Sequence, residues 1–107
     1  MELLTRLEEA ILIAVVRLGD EAYGVSINRE VSTFFERNYT LGGLYFALDQ
    51  LTRKGFVSKR HADPTPQRGG RRKTYYGLTK IGRIALEHVK VHQERLWNAM
   101  PDTGAGT

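Results

Sequence analysis

Cysteine is absent from the 107 residues, which excludes a disulfide framework, a thiolate zinc site and a cysteine nucleophile, and fits a reducing compartment. Long apolar runs are also missing: the longest, Ile11 to Val16, is far too short to cross a bilayer. Met1 is followed by Glu2 rather than by a basic segment leading into an apolar stretch. Neither secretion nor membrane anchoring is expected, and the reading is cytoplasmic. Catalytic chemistry is equally scarce, with no phosphate-binding glycine loop, no serine beside a plausible histidine and no carboxylates paired for acid–base work. An enzyme is therefore not expected, and no cofactor is implied.

Positive charge is present in modest excess, net +4, but it is unevenly spread. Residues 1–52 carry four basic and eight acidic side chains, residues 53–83 carry ten and one, and residues 84–107 carry two and three. Such a cationic segment is either a solvated face or a surface for a polyanion, depending on what it is built into. Hydrophobic residues at 41% and charged residues at 26% are ordinary for a folded domain. The length allows one core, near the size at which pairing with a second copy adds useful burial.

Hydrophobic periodicity organises the chain. Leu4, Leu7, Ile11, Val15 and Leu18 recur at three- and four-residue intervals, so residues 2–18 read as a helix ended by Gly19. Ile27, Val31, Phe34 and Phe35 give a second helix over 24–36, with Asn38 to turn the chain. Thr40 caps a third over 41–54, burying Leu44, Leu48 and Leu51 and stopping at Gly55. The period then changes to that of strands over 56–62 and 73–78, with Tyr76 and Leu78 on the inner face. Between them Asp63 to Arg72, rich in proline, glycine and arginine, reads as a basic hairpin loop. Thr79 caps a last helix running to about Met100, before Pro101. The fold class is mainly α with a small β-hairpin: a winged helix-turn-helix over residues 1–79, a C-terminal dimerisation helix over 80–100 and a disordered tail over 101–107.

In this arrangement the third helix enters the major groove and the wing reaches the DNA backbone. Gly42, Phe46, Asp49 and Arg53 stand opposite the apolar stripe, flanked by Tyr45 and Gln50. Arg53 suits guanine or a phosphate, Gln50 has the amide that matches adenine, and Asp49 either accepts from cytosine or pairs with Arg53 four residues on. Gly42 lets the backbone approach closely, and Thr40 and Tyr45 offer hydroxyls at the helix edge. Arg68, Arg71, Arg72 and Lys73 of the wing have only Asp63 as a nearby acid, so their repulsion calls for an external anion such as the phosphates of double-stranded DNA. The competing reading is a winged-helix module that binds an acidic protein without sequence-specific DNA recognition.

These stretches resemble the PadR family of transcriptional regulators. The resemblance rests on Ala22-Tyr23-Gly24, on Gly42 to Leu51 with Lys54-Gly55 after it, and on Gly70-Arg71-Arg72-Lys73-Thr74-Tyr75-Tyr76-Gly77-Leu78-Thr79 leading to Gly82. It spans about residues 5–86 and implies a DNA-binding winged-helix dimer, usually a repressor, whose C-terminal helix completes the dimer. Gly43 stands where the family often has threonine, and Phe46 where it often has proline.

The last helix has an apolar arc wider than one neighbour needs: Ile81, Ala85, Val89, His92, Leu96 and Met100, widened by Ile84 and His88 on one side and by Leu86 and Trp97 on the other. The first helix has Leu12, Ile13 and Val16 on the side away from its main stripe. The expected homodimer interface is therefore Leu12, Ile13, Val16, Val89, His92, Leu96 and Met100, and two copies imply a pseudo-palindromic operator. Trp97 reads as interface packing or as one wall of a pocket for a small aromatic effector, which some similar regulators bind between tryptophans. His88 and His92 are one helical turn apart, but no thiol or well-placed carboxylate completes a metal site, so none is expected.

Overall fold

The computed structural model describes residues 4–62 and 73–102. The order is α1 (Arg6–Leu18), a short 3₁₀ turn (Gly19–Glu21), α2 (Gly24–Phe35), α3 (Leu41–Arg53), β1 (Val57–His61), β2 (Thr74–Leu78) and α4 (Lys80–Asn98). Helix α1 begins later than its apolar spacing indicates because Thr5 and Glu8 form a reciprocal capping box, which fixes Arg6 as the first helical residue. Helix α2 ends at Glu36 in the left-handed conformation, φ 52°, so that residue and not Asn38 makes the turn. Thr40 caps α3 and Thr79 caps α4, each through its hydroxyl.

The three first helices enclose the core. Ile11, Leu12, Ile27, Val31, Leu44, Leu48 and Leu51 are fully buried there, with Phe56, Val57 and Tyr76 closing it from the hairpin side. Glu8 is buried at its edge and meets Lys54 Nζ at 2.9 Å, tying α1 to the end of α3. Burial pushes the Glu8 carboxyl upward, but the Thr5 N–H, the Lys54 ammonium and the Thr5 hydroxyl more than offset it, so its pKa lies below the usual carboxylate value.

β1 and β2 pair antiparallel, with Val57 opposite Leu78 and His61 opposite Thr74. The hairpin is fastened to the body by Tyr76 N–H donating to the Ala22 carbonyl at 2.8 Å and by a bridge between Tyr23 and Tyr75. This corrects the expected alternation: Tyr75 and Tyr76 are both buried while Leu78 is only partly so. Tyr75 is covered on the face that alternation leaves open, by the Tyr23 ring set edge-on at 5.8 Å and by the Arg60 guanidinium at 4.8 Å.

Helix α4 packs on the body as far as Gln93. Gly82, Ala85 and Val89 are buried, and Gln93 Nε2 donates to both Glu9 carboxylate oxygens at 3.0 and 2.9 Å. From Glu94 to Met100 every side chain is exposed. The radius of gyration, 16.6 Å, exceeds the roughly 13 Å of a compact chain of this length, as a projecting helix requires. No helix among the described residues is long and apolar enough to cross a membrane.

Candidate nucleic-acid interface

The buried stripe of α3 leaves Gly42, Phe46, Asp49 and Arg53 along the opposite ridge, and all four are exposed. The start of α3 is held by its cap: the Thr40 hydroxyl accepts from the Gly43 N–H at 3.1 Å and keeps its own proton for an outside acceptor. Tyr45 leans back over the start of α2, where a side chain at Gly24 would run into its ring. Its phenol is thereby fixed at the junction of α2 and α3 while the ring stays partly exposed. Gln50 is half-buried at the side of the helix. Tyr76 lies close to this face: burial first, then Tyr45 and Asp49, push its phenol above the usual value.

Asp49 does not pair with Arg53. Its carboxylate lies 3.7 Å from Lys59 Nζ on β1, so the strand that follows α3 returns a cation closer to Asp49 than the helical i, i+4 neighbour. Arg53 is exposed and has no ion pair among the described residues. The Asp49–Lys59 contact also joins the outer ridge of α3 to the hairpin, whose described part adds Arg60 and Lys73. Lys73 sets its ammonium 4.1 Å over the Tyr23 ring, which holds it beside the body where a cation on a loop would otherwise swing freely. Arg68, Arg71 and Arg72 lie outside the described residues.

The structure places Thr40, Gly42, Tyr45, Gln50 and Arg53 on α3 and its cap and Lys73 just before β2, and it adds two strand cations that were not among the expected residues, Lys59 beside Asp49 and Arg60 over the Tyr75 ring. The alternation of strand β1 contains both, but which of them returns to α3 depends on the turn at Gly55, where φ is 81°.

A second surface lies between α1 and α4. Two of the residues expected to face a partner are occupied within the protomer: Leu12 is fully buried in the core and Val89 is buried on the side of α4 that faces the body. The place of Leu12 is explained by the central position of α1, with α2, α3, α4 and β2 all packed around it. Ile13, Val16, His92, Leu96 and Met100 are exposed. The stripe that begins covered at Ala85 and Val89 continues past the body as Leu96 and Met100. Beside it runs a groove of about 650 Å³ whose walls include Ile13, Val16, Leu86 and Trp97. The His88 and His92 rings stand edge-on at 6.2 Å, both exposed, and no group of three or more metal-ligating side chains occurs among the described residues.

Comparison with known proteins adds to this geometry. The model of the transcriptional regulator PadR-like family matches residues 11–88. RosR of H. salinarum is 31% identical, with 94% of this chain and 81% of that one covered and a TM-score of 0.63. A PadR-like transcription factor from Bacteroides fragilis is 25% identical over 86% of this chain and 84% of its own, TM-score 0.70. A PadR family transcription regulator from Clostridium difficile is 29% identical over 86% and 93%, TM-score 0.64. No curated protein matches the sequence.

Proposed function

This chain belongs to the PadR-like family of transcriptional regulators, and from that premise we propose that it is a cytoplasmic, sequence-specific repressor that binds double-stranded DNA as a homodimer. The observation that carries the reading is the continuity of α3 with the hairpin. The Asp49–Lys59 pair sets the exposed ridge of the reader helix beside the first strand of the hairpin, which supports a helix in the major groove with the wing cations on flanking phosphates.

The roles divide by chemistry. Arg53 and Gln50 read base edges, Thr40 and Tyr45 donate to phosphates at the start of α3, and Gly42 keeps the backbone close to the duplex. Lys73 and the wing arginines Arg68, Arg71 and Arg72 neutralise phosphates. A second copy covers Leu96 and Met100 and the exposed Ile13 and Val16 of α1. The two reader helices then meet half-sites about 10 bp apart, or a multiple of this, on a pseudo-palindrome. The groove against Trp97 gives a flat aromatic effector a place at the same interface, through which occupancy would alter the spacing of the readers.

Two substitutions test the division of labour on a duplex selected by the protein itself. Arg53→Ala is expected to relax base preference at one position per half-site, at a cost of about 1 to 3 kcal/mol there. Arg71→Ala should weaken all duplexes alike and flatten the dependence of log affinity on log salt by about one unit. Equal effects of both changes on every sequence would remove the distinction between a reading helix and a phosphate-binding wing.

A further inference from the structure

Phe46 is 68% exposed although it is a large apolar side chain in the middle of an ordered helix. It stands on the outer ridge of α3, one turn after Gly42 and one turn and a half after the Thr40 cap. Gly42, the ridge residue one turn before it, carries no side chain that could lie against the ring. The next ridge residue, Asp49, is drawn toward Lys59 on β1. Phe46 therefore projects from the reader face, with its ring mostly exposed.

A phenyl ring has no hydrogen-bonding group with which to meet the polar edges of base pairs. The major groove presents a single apolar group, the 5-methyl of thymine. We propose that Phe46 is a specificity-determining residue that packs on a thymine 5-methyl in each half-site. This rests on the reading of α3 as the major-groove helix. It adds that one part of the site is recognised by apolar contact and not by hydrogen bonds. The chemistry recognised is the methyl itself, so 5-methylcytosine at the same position would present the same contact where unmodified cytosine would not.

The test uses a duplex selected by the full chain from a random pool, with each thymine replaced in turn by deoxyuridine, which differs only in lacking the methyl. At one position per half-site the wild-type protein should lose about fourfold in affinity per methyl removed, and about fifteenfold when both half-sites are changed. Phe46→Ala, whose exposed position leaves thermal unfolding of the free protein unchanged, should bind the thymine and uracil duplexes equally. Placing cytosine there should weaken the wild type, and 5-methylcytosine should recover about the same fourfold step. Wild-type binding that is indifferent to every uracil replacement would overturn the inference while leaving the regulator reading intact. So would a Phe46→Ala protein that keeps the full preference for thymine. A protein that binds no duplex overturns both.

Discussion

Gly82→Ala is expected to destabilise the fold by about 2 to 4 kcal/mol, although the same change inside an exposed helix is normally worth up to about 1 kcal/mol of added stability. The reversal comes from the way α4 is seated. The Thr79 N–H donates to the Phe56 carbonyl at 3.1 Å, and the Thr79 hydroxyl donates to the Gly55 carbonyl at 2.6 Å and accepts from the Gly82 N–H at 3.0 Å. These bonds draw the first turn of α4 down on the turn after α3. A methyl at residue 82 would then run into the Phe56 carbonyl oxygen and lie 2.7 Å from Leu78 Cδ1. Backbone cannot yield as a flexible side chain does, so α4 must lift. Gly42→Ala is the control, since its position is helical, exposed and without neighbours within 4 Å. Thermal unfolding of the two variants should move in opposite directions. A Gly82→Ala protein as stable as the Gly42→Ala protein would mean that α4 is not docked in this way.

The second large effect concerns assembly. Leu96→Glu should leave the protomer folded, because Leu96 is 69% exposed in the isolated chain, yet it should break the homodimer by placing a charge in the surface that a second copy covers. Sedimentation is expected to show a monomer. Affinity for a palindromic duplex should fall by about two to four orders of magnitude, since two tethered readers gain that much over one. A non-specific, salt-sensitive component should persist, because the cations of α3 and the wing are untouched. A Leu96→Glu monomer that binds the palindrome as tightly as the wild type would separate recognition from pairing.

Much of this architecture could be read from residue spacing, because the strongest signals were local. Thr40, Thr79, Gly19 and Gly55 mark ends of elements through their own backbone chemistry, and the leucines of α3 announce one buried side. Contacts that depend on how elements meet were less accessible. Leu12 looked surplus on the first helix because its periodicity reports faces and not the number of neighbours, and α1 turned out to be surrounded. Tyr75 looked outward because strand alternation takes no account of Tyr23, which arrives from the junction of α1 and α2 to cover it. Asp49 has Arg53 at the favourable helical spacing, but Lys59, ten residues away in sequence, is carried to it by the turn into β1. For the candidate site, residue type indicated what each side chain can recognise, while partnership and exposure emerged only in three dimensions. Phe46 shows the difference: its place on the outer ridge of α3 is legible from the helical spacing, and the structure adds that its ring is 68% exposed there.

Selection of bound duplexes from a random pool, followed by titration of the winner against a scrambled duplex at several salt concentrations, addresses the central claim most directly. A selected palindrome with half-sites about one helical turn apart or a multiple of it, bound at least about a thousandfold more tightly than the scrambled duplex and losing affinity steeply with salt, is the predicted result. Failure to enrich any sequence, with no duplex retained even at low ionic strength, would contradict it.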